Sequence, residues 1–246
     1  MEAMLYIVAT PIGNLEDVTH RALRVIREAD VLACEDTRRT RLLLQRYEVP
    51  APRLVMSYHE HNEERAGAEI LAHLERGLTV ALVTDSGVPG VSDPGYRIVS
   101  AARERNLPVE VIPGASAVST ALVASGLPTS SYTFKGFAPP KAAARRRFLA
   151  ADEDAPHTLI VFESPRRLDG LLRDALEVLG DRLAAVCIEL TKKFESVHRG
   201  YLAELAAQFS EETVRGEVTV VIAGSNPKFR RNPDLSSAPP PGALLR

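Results

Sequence analysis

The sequence is short of the features that usually assign a protein at sight. Its 246 residues hold two cysteines, Cys34 and Cys187, far apart and each between apolar neighbours (VLACE and AAVCIE). That spacing argues against a disulfide framework, and with no cysteine near His59 or His61 it argues against zinc, so no metal is expected. Both thiols are expected in buried strands. No apolar run approaches the roughly 18 residues of a membrane-spanning helix, and the opening MEAMLYIVATP has no basic n-region followed by an apolar h-region and a small-residue cleavage site. A cytoplasmic protein without membrane attachment is expected. There is no GxxxxGKS/T, no GxGxxG after the first apolar run and no GxSxG, which disfavours P-loop nucleotidases, dinucleotide-binding Rossmann enzymes and α/β-hydrolases. A net charge of -2 argues against a protein that coats nucleic acid generally.

The composition itself is that of a globular protein, 45% hydrophobic and 25% charged. Short runs rich in Val, Ile and Leu alternate with amphipathic stretches, the pattern of buried strands covered by helices, so the class is α/β. Strands are expected over 5–9, 31–34, 54–57, 79–84 and 109–112, with helices over 19–28, 37–47, 63–76, 95–105 and 115–125. Thr19 and Thr37 are the expected N-caps of the first two helices. A second set follows Gly126-Leu127-Pro128: strands over 132–137, 159–163, 184–190, 196–199 and 218–223, and helices over 142–150, 165–179 and 203–209. Its uneven spacing predicts a mixed second sheet. Two α/β domains, 1–114 and 115–225, would precede a Pro-rich mobile tail over 226–246.

Ligands of open α/β sheets sit beyond the carboxyl ends of strands, and here those ends are loaded with glycine, proline and polar residues. The fourth run ends in TDSGVPGVSDPG, residues 84–95, whose small residues suit close backbone approach to a bulky, roughly neutral ligand such as an adenosyl group. Asp36 beside Arg38 reads most simply as a helix-end ion pair. Cations cluster at Arg38 and Arg39, at Lys135, Lys141, Arg145, Arg146 and Arg147, at Arg166 and Arg167, and at Lys192 and Lys193. Alone, each cluster reads as a solvated face.

The order of motifs carries more. LYIVATPIGNLEDVTHRAL, ACEDTRRTRLLL, SYHEHNE, TDSGVPGVSDPG, VIPGASA, FKGF, FESPRR, ELTKKFE and RGEVTVVIAG follow one another over residues 4–224. This succession resembles the ribosomal-RNA-modifying branch of the tetrapyrrole (corrin/porphyrin) methylase family. The resemblance implies two α/β domains with S-adenosyl-L-methionine in the cleft between them, commonly in a homodimer. It implies methyl transfer to the ribose 2'-oxygen of a cytidine in the decoding region of 16S rRNA; the acidic net charge, with cations confined to clusters, points to the assembled small ribosomal subunit as partner. Carried over by position, it places the cofactor against Pro11, Ser86, Gly87, Val88, Val91, Ser92, Ala115, Ser116, Phe162, Glu163, Glu189 and Leu190. The RNA would meet Arg38, Arg39, Lys135, Lys141, Arg145, Arg146, Arg147, Arg166 and Arg167.

Two positions depart from the family pattern, which more often has Asp-Ala-Gly-Thr-Pro at Asp85 to Pro89 and often His at Arg166. Asp85, Glu163 and Lys192 are candidates for the base that receives the hydroxyl proton, Lys192 only if its pKa is lowered by neighbours. Two alternatives stay open: methylation of a tetrapyrrole precursor, and a non-catalytic ribosome- or RNA-binding protein on the same fold.

Overall fold

A computed structural model describes residues 3–231. The chain divides into two compact units, the first ending at Ser116 and the second beginning at Ala117. In the first, strands β1 (Met4–Val8), β2 (Val31–Cys34), β3 (Leu54–Ser57), β4 (Thr79–Val83) and β5 (Val109–Ile112) form one sheet in the order β3-β2-β4-β1-β5, every pair parallel. Helices α1 (His20–Glu28), α2 (Thr37–Arg46), α3 (Glu63–Glu75) and α4 (Tyr96–Glu104) provide the crossovers. Strand alternation divides the core between the faces. Leu5, Ile7, Val31, Ala33, Val80 and Leu82 pack with Ile70, Leu74 and Ile98, whereas Val8, Leu32, Cys34, Ala81 and Val83 pack with Val25, Ile26 and Leu44. Both faces are covered, which is why these strands read as continuous apolar runs.

The second unit begins with α5 (Ala117–Ala124) and contains β6 (Tyr132–Phe137), β7 (Thr158–Glu163), β8 (Leu183–Ile188), β9 (Ser196–Tyr201) and β10 (Val218–Ile222), with helices α6 (Ala142–Ala150), α7 (Leu168–Leu179) and α8 (Leu202–Glu211). The strand order is β6-β7-β10-β8-β9; β6 and β7 are parallel and the other pairs antiparallel. The sheet is therefore mixed. β10 runs against both β7 and β8, so β7 and β8 point the same way and their carboxyl ends share one edge.

Local chemistry sets the helix ends. Thr19 accepts from Ala22 N and caps α1 as the sequence suggests. The cap of α2 is Asp36 rather than Thr37: the carboxylate reaches Arg38 N at 2.8 Å and Thr37 becomes the first helical residue. Cys34 and Cys187 are buried free thiols in strands β2 and β8, and burial pushes both pKa values up, that of Cys187 to about 12. Neither is a nucleophile at neutral pH. The segment expected to be mobile from 226 is tied down over its described part: Arg230 bridges Arg182, Arg231 N donates to Asp181 O, and the Arg231 guanidinium meets Glu204. The remainder of that segment, 232–246, lies outside the described residues.

Candidate active site

Five parallel strands deliver five loops to one edge of the first sheet. β4 lies between β2 and β1, so TDSGVPGVSDPG meets the loops that follow both. Towards β1, Thr10 and Gly87 form an isolated antiparallel bridge, with Thr10 N to Gly87 O at 2.8 Å and Gly87 N to Thr10 O at 3.2 Å. The Thr10 hydroxyl donates to Thr84 O. These bonds set Pro11 beside Ser86, Gly87 and Val88, and a Cβ on Gly87 would lie 3.9 Å from Ala115 O in the loop after β5. Val91 and Ser92, further along, are exposed.

Towards β2, Asp85 accepts from Asp36 N at 3.1 Å, meets Arg39 Nε at 3.5 Å, and donates its own N-H to Glu35 at 3.2 Å. Burial, opposed by the Arg39 charge and the Asp36 N-H, raises the Asp85 pKa above the ordinary carboxylate value. Asp36 behaves oppositely: the Arg38 side chain and backbone N-H hold it at about 2, as a capping ion pair. The motif SYHEHNE is a brace. The Asn62 side chain bonds Ser57 O and His59 N, and Glu63 accepts from the buried Tyr58 hydroxyl and from Gly95 N, both at 3.1 Å. Glu63 thereby holds the SDPG turn. Gly95 is required there, because its φ is +145° and a Cβ would stand 2.8 Å from Gly90 N.

In the second unit the register places Val218 opposite both Glu163 and Ile188, so FESPRR, Glu189-Leu190 and Arg215-Gly216-Glu217 converge on one edge. Glu163 is 2% exposed. One of its carboxylate oxygens accepts from Ser164 N and from Arg167 Nε, each at 2.7 Å; the other, Oε2, is buried without a partner. Phe162 packs edge-on between the rings of Phe134 and Phe137. Glu189 adopts a left-handed backbone, φ 52°, and its carboxylate accepts from Lys192 Nζ and Glu217 N, both at 2.8 Å.

Lys192 also meets Glu217 at 3.0 Å. Burial would lower its pKa, but the bonds to the two carboxylates outweigh burial and the net shift is upward. The condition that a basic Lys192 required is therefore not met. Glu189 shifts downward, since the Lys192 and Glu217 bonds outweigh its burial. Gly216, φ +89°, floors this cluster, and a Cβ there would stand 2.2 Å from the Glu189 carboxylate. Gly216→Ala should destabilise the protein by roughly 1–3 kcal/mol, read as a lowered unfolding midpoint.

The expected RNA contacts separate into free and engaged cations. Arg145 is corrected: it is 6% exposed, and its guanidinium grips the buried Asp174 at 2.6 and 2.7 Å. A charge on the inward face of α6 can be buried only when paired. Lys135 is likewise turned inward, to Asp152, Phe148 O and the Phe148 ring. Arg146 bridges Asp174 and Glu177, and Arg167 holds Glu163. Arg38 and Arg39 project outward although paired with Asp36 and Asp85. Lys141, Arg147 and Arg166 are exposed.

The profile of the Tetrapyrrole (Corrin/Porphyrin) Methylases matches residues 4–206. The chain belongs to the tetrapyrrole methylase family. Among curated members it is 48% identical over 224 residues to the ribosomal RNA small subunit methyltransferase I of Halalkalibacterium halodurans, covering 91% of this chain and 77% of that one. The protein of the same name from Escherichia coli O157:H7 is 43% identical over 226 residues, covering 91% and 78%. Among solved structures, uroporphyrin-III C-methyltransferase of Thermus thermophilus complexed with S-adenosylhomocysteine superposes with a TM-score of 0.60 at 20% identity, covering 89% of this chain and 96% of that one. A diphthine synthase superposes at 0.68 with 16% identity and 89% coverage of each. Identities this low speak for the shared fold alone.

Within this tetrapyrrole methylase, Glu35 and Glu63 brace the loops of the first unit's sheet edge, and Gly216 and Glu217 those of the second unit's, although the sequence alone did not mark them. Glu35 and Glu63 were visible only as members of polar strings. Gly216 carried a usable signal, a glycine placed just before a buried strand.

Proposed function

We propose that the chain transfers a methyl group from S-adenosyl-L-methionine to a ribose 2'-hydroxyl of small-subunit rRNA, at a cytidine of the decoding region. The observation that carries this reading is the 48% and 51% identity, over nine-tenths of the chain, to proteins named ribosomal RNA small subunit methyltransferase I. The site's own atoms fit the cofactor. Thr84 Oγ1 and Glu163 Oε2 are buried without partners at the ends of β4 and β7, and each can still accept from a hydroxyl or ammonium group. The bridged loop Ser86 to Val88 offers backbone groups beside Pro11, with Ala115 near Gly87; in the second unit Phe162 and Glu163 end β7, and Glu189 and Leu190 follow β8.

When bound, S-adenosylmethionine supplies an electrophilic methyl group, the new C–O bond forming as the S–C bond breaks and the sulfur leaves as a neutral thioether. The chain supplies position and a proton acceptor. Asp85 is assigned the acceptor role. It is an accessible carboxylate whose burial raises its affinity for a proton, whereas Lys192 is held as an ammonium and Glu163 is clamped by Arg167. Arg39, 3.5 Å away, favours the ionised form of Asp85 before transfer.

Recognition of the RNA falls to the outward cations Lys141, Arg147 and Arg166, with Arg38 and Arg39. Exposed cations confined to a few short stretches of a chain of net charge -2 suit an assembled subunit better than naked RNA. A homodimer acting in the cytoplasm belongs to the same reading. Among the described residues no helix is long and apolar enough to cross a membrane. Replacing Lys141 and Arg147 together by glutamine should lower the slope of log affinity against log salt by about 1.5 while sparing cofactor affinity, measured by filter binding and calorimetry.

The reading is tested by offering purified protein and methyl-labelled S-adenosylmethionine to small subunits, naked 16S rRNA and a tetrapyrrole precursor. Label in the RNA of the subunits is the expected result. Label in the precursor alone would replace the RNA substrate, and cofactor binding without transfer to any acceptor would favour the non-catalytic reading.

A further inference from the structure

The loop between β8 and β9 is held more firmly than a connection needs. Glu189 and Thr191 both have left-handed backbones, φ 52° and 65°, a conformation uncommon outside glycine. Polar bonds fix it: Lys192 Nζ to Glu189 at 2.8 Å, Lys192 N to Glu189 O at 3.0 Å, Glu195 N to Lys192 O at 3.0 Å, and Thr191 N to the Glu195 carboxylate at 2.5 Å. This frame presents Lys193 and Phe194 to solvent. Phe194 is 75% exposed, forgoing about 1.5–3 kcal/mol that burial of its ring would contribute. Lys193 Nζ lies 5.5 Å from the ring centroid, and Lys193 has no ion pair among the described residues. The charge of its neighbour Lys192 is already matched by Glu189 and Glu217.

We propose that Phe194 is a stacking platform for an unpaired RNA base, with Lys193 placed to meet the adjoining phosphate. The inference rests on the RNA-methyltransferase reading and adds a positioning residue to it. Where the target nucleotide leaves its stack to bring its ribose hydroxyl in line with the methyl donor, a neighbouring base exposes an unpaired π-face. A phenyl ring carried on a pinned loop covers that face and a lysine beside it balances the backbone charge. Such a platform contributes affinity without selecting among bases, because every base has a π-face and the ring makes no hydrogen bond. A protein partner is a poorer fit, since the chain on either side of the ring is charged, with Lys192, Lys193 and Glu195.

The chain contains no tryptophan, so Phe194→Trp installs a single fluorescent reporter at the platform. Full-length Phe194→Trp and Phe194→Ala proteins are compared with the parent, using small subunits as the acceptor. Emission of Phe194→Trp should fall when subunits are added, and its KM should stay within a few-fold of the parent's. Phe194→Ala should raise KM for subunits by about tenfold or more, with the Kd for S-adenosylmethionine and the sedimentation behaviour unchanged. Unchanged emission together with an unchanged KM in Phe194→Ala, while the parent methylates subunits normally, would overturn the inference and leave the function standing. A Phe194→Ala protein whose oligomeric state changes would reassign the ring to a contact between chains. A parent that methylates no RNA would remove the function, and the platform with it.

Discussion

Asp85→Asn lowers kcat for methyl transfer by about 10²- to 10⁴-fold while S-adenosylmethionine binds as before. The substitution keeps the shape of the side chain, and an amide oxygen can still accept the Asp36 N-H that now reaches Asp85 at 3.1 Å. What it removes is the basic lone pair and the partner of Arg39. The pH dependence separates these effects from a general loss of structure. Burial raises the Asp85 pKa above 3.8, so protonation removes the base at a pH higher than for an ordinary aspartate. In the parent, kcat should be maximal above that raised pKa and fall as pH drops through it. In Asp85→Asn the residual rate should lose this acid limb. Single-turnover rates across pH measure both; a variant with near-parent rates and the same acid limb would release Asp85 from the role.

Asp174→Ala should be the most damaging change to stability. Asp174 is 4% exposed and takes three charged bonds, from Arg145 Nε and Nη2 and from Arg146 Nε, joining α6 to α7. Arg146 can turn to water or to Glu177, but Arg145 cannot, because its guanidinium lies 3.0 Å from where a Cβ on Gly170 would stand and its other bond goes to Pro140 O. Removing the carboxylate leaves a buried cation without a counter-charge, which costs about 3–5 kcal/mol. The midpoint of the second unit's thermal unfolding should fall by roughly 10 °C. Replacing both members by apolar residues of similar volume, Arg145→Met with Asp174→Leu, should recover most of the loss, since a buried ion pair contributes little beyond an apolar pair. If Arg145 were instead an RNA contact, neutralising it would weaken RNA binding with the midpoint unmoved.

These two residues also mark what the sequence could and could not convey. The ten strands and eight α-helices of the described residues were legible, because strands covered on both faces leave uninterrupted apolar runs and the connecting loops are dense in glycine and proline. The mixed character of the second sheet was legible from its irregular spacing. Which cations face outward was not: Lys135 and Arg145 sit in a run of five cations without an acid, and their partners Asp152 and Asp174 lie 17 and 29 residues further on. Long-range pairing of this kind leaves no trace in local pattern. The same holds for Lys192, whose second carboxylate, Glu217, arrives on β10's approach to the same sheet edge. Thr37 lost the cap of α2 to its neighbour because Asp36 is also fixed by Arg38 and reaches one residue earlier.

The central claim, a methyl group delivered to a ribose oxygen of small-subunit RNA, has a direct chemical readout. A 2'-O-methyl group blocks the attack on the neighbouring phosphodiester by which alkali cleaves RNA. Small subunits methylated by the protein with labelled S-adenosylmethionine should yield, after alkaline hydrolysis of their 16S rRNA, all of the label in one alkali-resistant dinucleotide beginning with cytidine. Label released in ordinary mononucleotides would place the methyl on a base and contradict the account.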